Sequence, residues 1–153
     1  YLATYITTVD GNFQRQLASA LSYTKDETTL THLLEEWKNK DVVKPQDLAM
    51  SWYFTFLQHD FTQGTVWTWA RDNWDWIKAA LGGDMSFDKF VIYPASTFKT
   101  YERLAEYKAF FEPQLSDLAI SRNISMGIKE ICARIDLIDK EKAAVEAAIK
   151  ATV

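Results

Sequence analysis

Two histidines, one cysteine and a tryptophan-rich run are the groups in this 153-residue chain best suited to chemistry. A zinc hydrolase site needs two His one helical turn apart with a Glu between them as general base, because tetrahedral coordination leaves one position for the attacking water. His32 and His59 stand 27 positions apart, and neither belongs to a His-Glu-x-x-His segment. His32 lies one turn from Glu35 and Glu36, a spacing that on an amphipathic helix reads first as a solvated face. His59-Asp60 falls at a predicted helix end, where the terminal carbonyls favour a cationic imidazole. No metal site is assigned, and no cofactor is expected within this chain. Nucleophilic catalysis lacks its parts as well. The sequence has no Gly-x-Ser-x-Gly elbow and no Gly-rich phosphate loop, and Cys132 has no His near it in sequence. Beside Ile131, Cys132 reads as a small buried hydrophobe, and no catalytic residue is assigned.

The segment from Trp67 to Trp76 invites a stacking reading, in which indole faces hold a sugar or a base. Helical geometry argues for packing instead. Val66, Ala70, Trp74 and Ile77, with Trp67 alongside, form one inward stripe, which leaves Trp69 and Trp76 on an adjoining face, free to pack on a neighbouring helix or another domain. Paired carboxylates such as Glu35 and Glu36, or Asp72 and Asp75, serve to solvate outer helix faces. The glycosylation pattern Asn123-Ile124-Ser125 lies inside a helical register and is discounted.

The elements that would position these residues are long helices. Hydrophobic residues make up 48% of the chain, while 5 Gly and 3 Pro leave little to punctuate strands and turns. The net charge of -4 comes from basic and acidic residues mixed along the sequence, with no basic stripe to follow a phosphate backbone, so nucleic acid is not expected as a partner. No run reaches the ~18 apolar residues of a membrane span, no signal peptide opens the chain, and the single cysteine fits a reducing, cytoplasmic setting.

In chain order, an element over Tyr1 to Asp10 and an Asp10-Gly11 turn precede a helix from Asn12 to about Tyr23. Thr24-Lys25-Asp26-Glu27 has the form of a capping box for a helix carrying Leu30, Leu33, Leu34 and Trp37 to about Lys40. Pro45 suits the first turn of the next, which runs to about Asp60, is apolar almost all round and should be central. A helix from about Gln63 to Leu81 should stop at Gly82-Gly83 with a left-handed cap. A short helix over Ser86 to Tyr93 should break at Pro94, and another from Thr100 should end at Pro113. The last starts near Arg122. Ile124, Ile128, Ile131, Ile135 and Ile138 recur at steps of four and three on one face that must be buried, and the register continues to Val145 and Ile149 past a charged interruption at Asp139 to Lys142 that could mark a kink. The expectation is an all-α fold of six to eight helices, stacked as antiparallel pairs in a solenoid-like (HEAT-like) superhelical bowl, with a compact bundle as the fallback.

Several segments, in this order, resemble the C-terminal helical domain of the aminopeptidase N family of zinc aminopeptidases, especially its members in lactic acid bacteria and streptococci. They are Lys44-Pro45-Gln46-Asp47-Leu48, the run from Thr65 to Trp74, Phe98-Lys99-Thr100, Phe110-Phe111 and the Arg122-centred final helix. Two departures are Gly127 inside the final helix and Asp136-Leu137-Ile138, where many relatives have an aromatic. The resemblance implies that residues 1–153 are one helical domain, a C-terminal fragment of a longer polypeptide whose preceding domains carry the zinc, the general base and the substrate amine site. It implies a non-catalytic role that encloses the substrate cavity and gates access for peptides. Arg122, Lys129 and Arg134 are then candidates to line the cavity and attract a peptide carboxylate. The expected partners are the catalytic domain of the same polypeptide and peptide substrates, with no nucleic acid and no membrane. Two alternatives stand beside this: a free-standing helical-repeat interaction module, and a carbohydrate-binding module using Trp69 or Trp76.

Overall fold

The computed structural model describes residues 1–152, and among them every regular element is helical. The chain forms two compact units, Tyr1–Pro94 and Ala95–Val153.

The first unit opens with α1 (Leu2–Thr7) and α2 (Gly11–Ser22). Asp10 caps α2 by accepting from the amides of Asn12 at 2.8 Å and Phe13 at 3.3 Å, so Asp10-Gly11 is a helix start. Gln14 reaches back from α2 and donates its side-chain amide to the carbonyls of Tyr5 and Thr8, closing the open end of α1. α3 (Glu27–Glu36) follows. Its cap is Asp26 rather than the expected Thr24: the carboxylate accepts from both the amide and the hydroxyl of Thr29, at 2.7 and 2.6 Å, and an ionised acceptor outcompetes a hydroxyl there.

Pro45–Asp47, Leu48–Phe54 and Thr55–Leu57 make one continuous helix, α4, with Pro45 in its first turn. Its middle is wound as a π-helix, which no spacing in the sequence announced. The helix is central as expected: Trp52, Tyr53, Phe56 and Leu57 are all fully buried, although Met50 is 59% exposed. Around it, Trp37 sets its ring edge to face against Phe56 at 5.4 Å and Trp69 at 5.0 Å, and the Trp52 indole donates to the Tyr5 hydroxyl at 3.0 Å. Burial raises the Tyr5 pKa above its ordinary value. The carbonyls that end α4 are taken by side chains of the next helix: the Thr62 hydroxyl donates to Phe56 O at 2.6 Å, and the Gln63 amide to Leu57 O at 2.9 Å.

The single helix expected over 63–81 is two, α5 (Asp60–Asp72) and α6 (Trp74–Leu81). Asn73 separates them because its side-chain amide, as well as its backbone amide, donates to Trp69 O, at 2.7 and 3.0 Å. Gly82 is not left-handed as expected. It sits in the right-handed region at φ -61°, and a Cβ there would collide with the Lys78 carbonyl, so the glycine supplies room rather than handedness. In α7 (Lys89–Thr97), Pro94 lies inside the helix instead of ending it, and its sequence neighbours Phe90, Val91, Ala95 and Phe98 are all buried.

In the second unit, Thr100 caps α8 (Tyr101–Phe111) with its hydroxyl on the Arg103 amide, and a short 3₁₀ turn, Glu112–Gln114, ends it at the expected proline. α9 (Ser121–Thr152) is continuous through the charged segment where a kink was expected. It runs antiparallel to α8: Tyr107 lies at the level of Gly127, and the Tyr101 hydroxyl donates to Asp139 at 3.0 Å. Ile124, Ile131 and Ile135 are buried and Ile128 is half-buried, but Ile138 is exposed, so the expected burial of the whole stripe fails at its last member. Tyr101 is the first residue of α8, and the covering helix has run out.

Candidate functional site

The three cations singled out in the sequence do not share one environment. Arg134 is half-buried and already occupied: its guanidinium donates to the carbonyls of Ala95 at 2.8 Å and Phe98 at 2.6 Å, and pairs with Glu130 at 2.7 Å. A planar fork with several donors suits this task, since it covers carbonyls around the end of α7 while holding a carboxylate. Arg122 and Lys129 are exposed, one on each side of exposed Met126, and seven residues apart they lie along one side of α9. They present two positive charges to solvent.

His59 is placed differently from the sequence expectation. It stands at the start of α5, and its Nε2 lies 3.0 Å from Oγ of Ser22, with the rings of Tyr23 and Phe61 at 4.3 and 5.2 Å. The Ser22 hydroxyl donates to Ser19 O at 2.7 Å, so toward His59 its oxygen accepts and Nε2 carries the proton. That polarity is the reverse of a base activating a nucleophile, and Ser22 is fully buried. The pair pins α2 to α5. With 37 residues between them, no sequence signal could have joined the two. His32 is exposed on α3, and among the described residues no group of three or more His, Cys, Asp or Glu could hold a metal ion. Cys132 is a free thiol, half-buried beside the Ile131 face.

A groove of about 540 Å³ opens between α3 and α5. Thr31, Leu34, Glu35 and Lys38 form one wall, and Thr65, Thr68, Trp69 and Asp72 the other. Trp69 is half-buried, its ring set edge to face against Trp37 and Trp76 at 5.0 and 6.2 Å, so the adjoining-face tryptophans pack on a neighbouring helix and on each other. Hydroxyls, two carboxylates, one ammonium and an indole edge supply hydrogen bonds and charge but no activated nucleophile.

Aminopeptidase N of Lactococcus lactis subsp. lactis is 61% identical over 150 residues, which cover 98% of this chain and 18% of that protein. Aminopeptidase N of Lactobacillus helveticus is 41% identical over 145 residues, or 95% of this chain and 17% of that protein. Endoplasmic reticulum aminopeptidase 2 of Bos taurus is 31% identical over 115 residues, or 72% of this chain and 12% of that protein. The chain thus spans less than a fifth of the length of the relatives it matches. The family model described as ERAP1-like C-terminal domain matches residues 1–133, and the chain belongs to that family.

Proposed function

We propose that this chain is the non-catalytic C-terminal domain of a zinc aminopeptidase that releases N-terminal amino acids from peptides, and that it encloses the substrate cavity and gates access to the catalytic domain. The observation that carries the reading is the likeness along 98% of the chain to an aminopeptidase N of which it spans only 18%. Residues 1–153 act in this reading as one helical domain of a cytoplasmic enzyme. Its partners are the catalytic domain of the same polypeptide and the peptide substrates.

The residues present do not fit a zinc centre: His59 is engaged with buried Ser22, His32 is exposed on α3, and the described residues gather no set of three ligands. The zinc of this reading belongs to the catalytic domain, and no chemical step runs through this chain. Arg122, Lys129 and Arg134 are the proposed cavity-lining cations. Arg122 and Lys129 are the more available of the three, because Arg134 already holds two carbonyls.

The test is twofold. The purified chain should hydrolyse no aminoacyl chromogenic substrate, and the gene should continue upstream of the Tyr1 codon in a frame encoding His-Glu-x-x-His. Turnover that survives rigorous purification and responds to mutation of this chain would overturn the reading, as would a start codon immediately before Tyr1.

A further inference from the structure

The Ile124 stripe does not end where its burial ends. Continued at alternating steps of four and three, it passes through Ile138, Lys142, Val145 and Ile149, a heptad seam along α9 that is apolar except at Lys142. The first part of that seam is buried: Ile124, Ile131 and Ile135 are at most 2% exposed. Coverage stops at the Tyr101 to Asp139 hydrogen bond, which marks the first residue of α8. Beyond it Val145 is 53% and Ile149 60% exposed, on about two further heptads of helix. A strict 3.5-residue repeat drifts around a straight helix by ~20° per heptad, so a seam this regular is suited to a helix that follows it by supercoiling.

The charges beside the exposed seam select the occupant. Glu141 and Glu146 flank it on its two edges and both are exposed; Lys140 lies 3.6 Å from the Glu141 carboxylate in an exposed pair of the kind that contributes little, so both edges stay acidic toward a partner. A second copy of the chain would set acid against acid: in a parallel pair Glu141 meets Glu146 of the other copy and Lys142 meets Lys142, and in an antiparallel pair each edge faces its own like-charged kind. A helix with lysine or arginine on its edges meets both glutamates with opposite charge, and a carboxylate in its own seam would answer Lys142. We infer that residues 138–149 of α9 are a docking surface for an amphipathic helix with basic edges, added to α9 in coiled-coil fashion.

The probes for the test are two synthetic peptides of equal length with the same leucine and isoleucine seam, one with lysine at the edge positions and the other with glutamate. Binding to the intact chain is read by fluorescence anisotropy at low salt. The lysine-edged peptide should bind about tenfold or more tighter than the glutamate-edged one, and V145D or I149D should weaken it by about tenfold or more with an unchanged circular dichroism spectrum. The double variant E141K/E146K keeps the seam and the helix, and it should reverse the preference. Equal binding of the two peptides, or a preference that survives E141K/E146K, overturns the proposal. So does a chain that sediments as a dimer and becomes monomeric on V145D, because the seam would then belong to a second copy.

Discussion

The Tyr107 hydroxyl occupies the space in which a side chain on Gly127 would begin. A Cβ at Gly127 would overlap that oxygen and stand 2.8 Å from the Cβ of Ala95. The glycine that looked like a weak point in the final helix is therefore a place where α9 approaches α8 and the end of α7 closely. Tyr107 is fully buried, and its pKa is raised well above the ordinary phenol value by that burial, with the Glu130 charge adding to it.

Gly127→Ala sets two effects against each other. The helix gains ~1 kcal/mol of propensity, while overpacking costs about 1–3 kcal/mol. Because the overlap is with a ring fixed among buried neighbours, the second should win. Urea unfolding should show a net loss of stability, smaller when Tyr107→Phe has already removed the hydroxyl. A stabilised Gly127→Ala variant would contradict the geometry.

Thr62→Val tests the closure of α4. It removes the hydroxyl that donates to Phe56 O in a fully buried position, so a loss of about 1–3 kcal/mol is expected from the unpaired carbonyl, despite nearly unchanged volume. Denaturant midpoints of the two proteins measure it.

Asp26 carries a pH dependence whose sign follows from its hydrogen bonds. The side chain and then the amide of Thr29 donate to the carboxylate and hold its pKa below the ordinary value. The cap's contribution is thus present above the unfolded-state pKa and is lost as pH falls through the lower, folded one. Asp26→Ala should lower the melting temperature at neutral pH, and the difference from the parent should shrink in strong acid. Thr24→Ala should leave the melting temperature nearly unchanged, and a larger effect from Thr24 would restore the capping box that the sequence suggested.

Arg134→Met should be far more disruptive than Glu130→Gln. The arginine holds the Ala95 and Phe98 carbonyls, and hydrogen bonds from a charged donor contribute about 1.5–3 kcal/mol each. The ion pair to partly exposed Glu130 contributes roughly 1 kcal/mol or less. Equal effects in thermal melts would show that the carbonyl contacts are not what Arg134 supplies.

Periodicity and proline placement made most of the helices legible: the spacing of Phe13, Leu17 and Leu21, Pro45 in a first turn, and Thr100 and Pro113 bounding α8 all carry local signals. What escaped depended on partners distant in sequence or on competition between local groups. Asn73 splits one apolar register because its side chain competes for the Trp69 carbonyl. Gly82 and Gly127 serve close approach, which a residue type alone does not distinguish from a left-handed turn or a weak point. The π-winding of Leu48–Phe54 and the Ser22 to His59 pair have no linear signature. The three candidate cations were named together, and the structure leaves Arg122 and Lys129 exposed while Arg134 is half-buried. The carbonyls that occupy Arg134 lie 36 and 39 residues away in sequence, beyond the reach of any local pattern.

The gating role is tested most directly by peptide-length selectivity in the intact enzyme that carries this domain. With Arg122→Glu and Lys129→Glu combined, kcat/KM should fall several-fold for a peptide of about ten residues while staying near the parent value for a single aminoacyl chromogenic substrate, which carries no distant carboxylate. Unchanged rates on both substrates, or equal losses on both, would contradict the account.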